Sequence, residues 1–270
     1  MSYLRFEKAV MTNLQESLHR ELLRTNRSGA YSSSTIADCN TRKYHGLLVV
    51  PVPELDDENH VLLSSFDCTV IQHGAEFNLG LHKYQGNNYS PNGHKYIREF
   101  TCDVVPTMIY RVGGVILKRE TIFQCYEDRI LIRYTLVDAH SATTLRFRPF
   151  LAFRSVRQFT HENSVASRAY QEVENGISTC MYAGYPDLYM QFDKKNEIMQ
   201  TQEKLHVVAQ AQVIREKASM ATHVVQRHLE AGEHFNELKN NVQHNSADSD
   251  ELHCSTSKTN DEISNILDNL

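Results

Sequence analysis

The sequence predicts a mainly β protein, with a large antiparallel sandwich over residues 1–195 and a helical and disordered tail over residues 196–270. Three observations carry this. Runs rich in β-branched and aromatic residues follow one another through the first segment, several alternating with period 2. The pair Gly113-Gly114 sits between two such runs and supplies the positive φ values of a two-residue hairpin turn. Composition then breaks, because 23 of the 24 aromatic residues and all 6 prolines precede residue 196, and net charge passes from +1 over residues 1–195 to -6 over 196–270.

Taken in order, strands are expected at Tyr3 to Val10, Tyr44 to Pro51, Val61 to Gln72 and Tyr96 to Val105. The clearest hairpin joins Thr107 to Val112 with Val115 to Phe123. A second antiparallel pair is expected between Arg129 to Val137 and Leu145 to Leu151, where Leu145, Phe147 and Leu151 share one face and Arg146 and Arg148 the other. Ile177 to Ala183 and Leu188 to Phe192 complete the strands. The loop Leu81 to Lys95 mixes turn formers with Tyr84, Tyr89 and His94. In the tail, Leu205, Val208, Val213, Val224, Val225 and Leu229 suggest an amphipathic helix between about Thr201 and Lys239. Asn240 to Asn260 reads as disordered, and Ile263, Ile266, Leu267 and Leu270 mark a short last helix capped by Asn260.

Several function classes fall away on the same reading. A first segment of net charge +1 offers little field for counterion release, so nucleic acid is not an expected partner. The longest apolar run, Gly46 to Val50, falls far short of the ~20 residues that span a bilayer, and the first residues lack a signal-peptide pattern, so no membrane partner is expected and the cytoplasm is the expected location. Cys39, Cys68, Cys102, Cys125, Cys180 and Cys254 stand at least 23 residues apart, without a zinc or disulfide spacing, and read as reduced thiols. No cofactor and no metal is expected; Cys39 with His45 lacks a further ligand.

The most specific string is Asn40-Thr41-Arg42-Lys43-Tyr44-His45-Gly46-Leu47-Leu48-Val49-Val50, a polar cluster running straight into a buried strand, which puts those side chains at the rim of a sheet. Here the chain resembles the N-terminal domain of bacterial and archaeal type glycogen debranching enzymes, the amylo-α-1,6-glucosidase family. The resemblance extends through Glu21 to Tyr31, with Leu22 where many members have Trp, and through Val61 to Ser65, Pro91 to His94 and Phe147 to Arg154, covering roughly residues 1–195. It implies a β-supersandwich that precedes a separate helical toroid domain, and it places the hydrolytic carboxylates in that later domain. Glycoside hydrolysis needs two carboxyl groups about 5–9.5 Å apart; no such pair is nominated, and Asp67, Glu99, Glu120 and Asp128 read as structural. Past Asn196-Glu197 the expected aromatic strands give way to Gln, His, Asn and Ser. A reading-frame change, a faulty gene join or a lineage-specific tail would each do this, and the first two imply a sandwich without its last strands and with an open edge.

The carbohydrate-binding or domain-docking candidates are Arg42, Lys43, Tyr44, His45, Tyr84, Tyr89 and His94. The aromatic rings suit sugar faces and the Arg and His groups suit hydroxyls, while the competing reading for all seven is local bracing. Arg146, Arg148, Arg154 and Arg157 resemble an anion-binding row, set against an ordinary solvated sheet face. The expected function is that of a debranching-enzyme N-terminal domain, non-catalytic by itself, binding α-glucan weakly and docking a helical glycosidase domain. The alternatives are an autonomous carbohydrate-binding or scaffold protein that self-associates through its C-terminal helix, and a mutarotase-like enzyme with a His and a carboxylate converging on a concave sheet.

Overall fold

The computed structural model describes residues 4–161, 163–193, 196–201, 204–211 and 219–226. The chain opens with β1 (Leu4–Glu7) and two helical turns, α1 (Lys8–Met11) and α2 (Leu14–Ser17). Asn13 caps α2, its side chain accepting from the amides of Gln15 and Glu16. Then follow β2 (Glu21–Thr25), β3 (Tyr31–Thr35), β4 (Gly46–Pro51), β5 (Asn59–Gln72), β6 (Ala75–Asn78), β7 (His82–Lys83), β8 (Tyr89–Ser90), β9 (Ile97–Cys102), β10 (Pro106–Val112), β11 (Val115–Phe123) and β12 (Ile130–Asp138). The remainder are β13 (Thr143–Ser155), β14 (Gln171–Val173), β15 (Gly176–Thr179), β16 (Leu188–Phe192), β17 (Asn196–Thr201), β18 (Lys204–Ala211) and β19 (Ser219–Gln226). The protein is mainly β, as its alternation predicts.

Two antiparallel sheets hold nearly all of these strands. One has nine strands in the order β1-β9-β10-β11-β12-β19-β16-β15-β14, and the other eight, β17-β18-β13-β5-β4-β3-β2 with β6 beside β5. The Gly113-Gly114 hairpin forms as expected, both glycines at positive φ (56° and 82°) and Val112 opposite Val115. Inward residues alternate along each strand: Phe66, Cys68 and Val70 of β5 and Leu145 and Phe147 of β13 meet Met108, Leu117, Ile132, Tyr134 and Phe192 of the other sheet. Phe147 is the hub. Its ring is fully buried and lies 5.3 Å from Phe66, 5.0 Å from Tyr134 and 5.7 Å from Phe192, so one side chain ties a neighbour in its own sheet to two residues of the facing sheet.

Two expectations are corrected. β12 and β13 are not a hairpin: β12 pairs with β11 and β19, β13 with β5 and β18, and the connection between them crosses from one sheet to the other. Their apolar faces therefore look at each other across the core instead of lying side by side, and periodicity, which reports a buried face, does not distinguish these arrangements. The tail helix expected over Thr201 to Lys239 is replaced, where the chain is described, by β18 and β19. β19 fills the slot between β12 and β16, and β18 lies between β13 and β17. The physical reason is that Val207-Val208 and Val224-Val225 favour extended backbone, and each strand next to them offers a row of backbone groups that needs a partner. β17 is the outermost strand on that side of the eight-stranded sheet. The disordered stretch expected at Asn240 to Asn260 and the helix expected near Ile263 lie outside the described residues.

Polar ties hold the sheets together at the β2–β3 end. Asn26, fully buried in the turn between those strands, accepts from the amides of Ser28 and Ala30 and donates to the Glu127 carbonyl and the Asp128 carboxylate on the β11–β12 turn of the other sheet. Replacing Asn26 with Ala removes all four of these bonds, including that of the buried Ala30 amide. N26A is expected to lose about 3 kcal/mol, the upper end of the cost of leaving buried polar groups unpaired, measured as a lower urea midpoint at unchanged m; a loss within 0.5 kcal/mol, about the size of a surface substitution, would contradict the clamp.

Candidate functional site

The site is a loop before it is a pocket. After β3, Thr35 folds the chain back on itself: its hydroxyl donates to the Cys39 carbonyl and accepts from the Cys39 amide, both at 3.0 Å, and its carbonyl takes the Asp38 amide at 2.9 Å. Asp38 adopts φ 58° and forms an ion pair with Arg119 of the facing sheet. Asn40 then fastens to the sheet, accepting from the Ser34 hydroxyl (2.8 Å) and donating to the Ser64 carbonyl (2.7 Å). The Thr41 amide donates to Nδ1 of His45 at 3.0 Å, and the His45 amide to the Arg42 carbonyl at 3.1 Å, which closes the loop just before β4 begins.

This closed loop forms one end of an open groove of about 530 Å³ on the outer face of β2 and β3. Glu21, Leu23 and Thr25 point the same way along β2, the period-2 consequence of an edge strand, and Tyr31 and Ser33 lie opposite on β3. Tyr44 stands at the end with 43% of its surface exposed, packed edge-on against the His45 ring at 5.2 Å, its carbonyl holding the Tyr31 hydroxyl at 3.0 Å. Arg42 is ion-paired with Glu21, and His45 Nε2 lies 3.6 Å from the other Glu21 oxygen. Burial pushes the Glu21 carboxyl up, but the hydrogen bond from Arg42 and the charges of His45 and Arg42 outweigh it and hold it below the usual carboxylate range. Burial likewise keeps His45 below the usual imidazole range despite the Glu21 carboxylate. Behind Tyr44, Lys43 and Arg154 both approach the exposed Phe159 ring, at 5.6 and 5.4 Å, and Arg154 donates to the Lys43 carbonyl at 2.7 Å.

Chemically the groove offers a ring, hydroxyls, a guanidinium and a single carboxylate. Among its lining residues Glu21 is the one acid, it stays ionised, and its bonds to Arg42 are already made. Its remaining lone pairs can accept hydrogen bonds from a ligand's hydroxyl or amide groups.

The other candidates are distributed unevenly. Tyr84 is exposed, whereas Tyr89 packs against the buried group Ala37, Cys39 and Leu81, so the 81–95 loop adjoins the 40–45 loop through Cys39. Burial pushes the Cys39 thiol up to about 11, which leaves it protonated at neutral pH. The four arginines that resemble an anion row are each engaged within the fold: Arg146 pairs with Glu76, Arg148 with Asp67, Arg157 with Glu58, and Arg154 holds backbone carbonyls. Asp67 and Glu120 are structural acids, Asp67 receiving His82 and Arg148, and Glu120 receiving Lys118 and Arg133. Sequence reasoning missed Glu21 and Tyr31 as site residues, although the alternation of Glu21, Leu23 and Thr25 put them on one face; Phe159 and Arg154 join the site only through folding.

His94 is buried in a helical turn, Gly93–Tyr96, and burial together with the charge of Lys95 lowers its pKa. The unfolded chain takes up the proton at about 6.5 while the folded chain resists it, so the contribution of His94 to stability is complete above that pH and lost as pH falls through the folded value. The urea midpoint is expected to drop between pH 7.5 and 5.5, and H94Q, which cannot titrate, to flatten that dependence; an unchanged slope in H94Q would contradict the assignment.

Among the described residues no helix is long and apolar enough to cross a membrane, and no three potential ligands gather around a metal position. No curated protein matches the chain. The family model described as the glycogen debranching enzyme N terminal matches residues 20–218, which takes in the clamp at Asn26, the groove, the 40–45 loop and the strands as far as β18. With most of its length matched and with the β architecture described above, the chain belongs to the glycogen debranching enzyme N-terminal family.

Proposed function

We propose that this β-domain is a non-catalytic, glucan-facing module: its groove forms part of one wall of an α-glucan cleft, and the surface around Phe159 docks a helical amylo-α-1,6-glucosidase domain. The observation that carries the reading is the groove itself, where an exposed Tyr44 ring shares the lining with Glu21, Thr25, Tyr31 and Ser33, and Arg42 is held against Glu21. A flat ring beside polar groups that are already held in place matches a pyranose, which presents an apolar face and equatorial hydroxyls together. The orientation of the groups is fixed before the ligand arrives, which lowers the entropic cost of binding. Exposed Phe159, flanked by Lys43 and Arg154, has the aromatic-plus-arginine composition of an interface anchor. A cytoplasmic setting, where glycogen is stored, follows from the same reading.

The mutarotase-like alternative finds His45 with Glu21, His82 with Asp67 and His60 with Asp56, but an arginine already holds Glu21 and Asp67, and the second His60 nitrogen is bonded to the Tyr185 hydroxyl. The glucan reading is tested by titrating the full chain with maltoheptaose. Y44A is expected to weaken binding about tenfold, equivalent to ~1.4 kcal/mol, with the unfolding midpoint unchanged. In parallel, no glucose should be released from a branched limit dextrin; turnover above a blank would overturn the non-catalytic assignment, and equal affinity of Y44A and wild type would overturn the role of the groove.

A further inference from the structure

We propose that the contact between the Thr41 amide and His45 Nδ1 is a proton-operated latch on the groove rim, closed when the imidazole is neutral and released when it is protonated. It rests on the reading of the groove as a glucan site for its consequence, though not for its mechanism.

The geometry assigns the tautomer. Nδ1 accepts the Thr41 N–H at 3.0 Å, so in the closed loop it carries no proton and the ring hydrogen sits on Nε2, on the Glu21 side at 3.6 Å. A second proton can enter only at Nδ1. Once there, two N–H groups face each other and the bond that closes the loop is lost. The ring is fully buried, so the imidazolium finds neither water nor a new acceptor on that side without movement of residues 41–44. Those residues include Tyr44, which lines the groove, and Arg42, which is paired with Glu21 of the groove wall.

The surrounding charges are few. From β2, Glu21 favours the imidazolium; on the loop itself Arg42 opposes it, and Tyr44 lies edge-on to the ring. From β3, the Tyr31 hydroxyl binds the Tyr44 carbonyl, and from β13, Arg154 binds the Lys43 carbonyl, while Lys43 and Arg154 turn their charges toward Phe159. Burial outweighs the attraction of Glu21, and His45 stays neutral until the pH drops below the ordinary imidazole value. The device therefore operates under acidification and is closed at neutral pH.

The test follows the His45 ring nitrogens and the Thr41 amide by NMR in the full-length chain from pH 7.5 to 5, with maltoheptaose affinity measured at pH 7.5 and 5.5. Expected are an Nε2–H tautomer at pH 7.5, a His45 midpoint below about 6.5, a Thr41 amide that moves with that same midpoint while the β5 amides hold still, and an affinity at least fivefold weaker at pH 5.5. H45Q, whose carbonyl can accept the Thr41 N–H but cannot titrate, should bind equally at the two pH values. A His45 ring that titrates while the Thr41 amide stays in place overturns the latch, as does an H45Q variant that keeps the pH dependence of the wild type. If Thr41 moves with His45 and maltoheptaose binds at neither pH, the latch stands and the glucan reading of the groove fails.

Discussion

The ion pair between Arg119 and Asp38 sets the terms for the β2–β3 end of this domain. Arg119 projects from β11 into the space between the sheets, beside Tyr110 and Tyr134. Burial alone favours the neutral guanidinium; Asp38 and the two tyrosines reverse that, and Arg119 stays charged. An unpaired charge in that position costs several kcal/mol, so the chain after β3 must bring a carboxylate to one point, and it does so with Asp38 at φ 58°, a conformation that Asp tolerates better than most residues. Once Asp38 is placed, Thr35 can close on Cys39, Asn40 falls beside Ser34 and Ser64, and the 41–45 loop leaves in the one direction that returns it to β4. The groove rim is thus positioned by a charge in the opposite sheet.

This divides the sandwich into two kinds of interior. Around Phe147 the sheets meet through stacked rings and aliphatic side chains, which exclude water and set no strict register. At the β2–β3 end they meet through Arg24 on the Val104 carbonyl, Asn26 on the β11–β12 turn and Asp38 on Arg119, around a cavity of about 90 Å³ whose walls include Ser32, Ser34 and Tyr134. Hydrogen bonds are directional where apolar packing is not, so the polar end fixes geometry at some cost in packing density. Stability belongs mainly to the first region and precision to the second, and the groove sits on the second.

What was legible in the sequence follows the same division. Strands with a strong apolar face, such as β5, β10, β11 and β16, could be read from alternation and turn residues alone, because burial of one face leaves a period of 2 wherever the strand lies. Their neighbours could not: nothing within Ile130 to Leu151 records that β12 and β13 enter different sheets, since that is decided by β5, β18 and β19 competing for their edges. Ser-rich β3 and the exposed edge β2 lack an apolar face and passed unread, although both carry groove residues. In the tail, the spacing of Leu205, Val208 and Val213 fitted a helix, and tertiary pairing with open strand edges overrode it. The 40–45 string was legible as a candidate site because polar residues packed against a buried strand are costly unless each has a partner.

Those partners, once seen, separate the two readings the string allowed. Asn40, Thr41 and His45 spend their hydrogen bonds inward, on Ser34, on Ser64 and on one another. Gly46 has no room for a side chain, since a Cβ there would approach the side chains of Val49 and Val61 to 2.7 Å; its role is to let β4 start directly beneath the loop. Arg42 is half committed, its guanidinium exposed but held by Glu21. Tyr44 alone combines a fixed backbone, through Tyr31, with an exposed ring, and Lys43 points away toward Phe159. Bracing and binding are therefore not alternatives for the string as a whole. The residues that brace make the loop rigid, and that rigidity allows one exposed ring and one guanidinium to present a defined surface without first paying to order it.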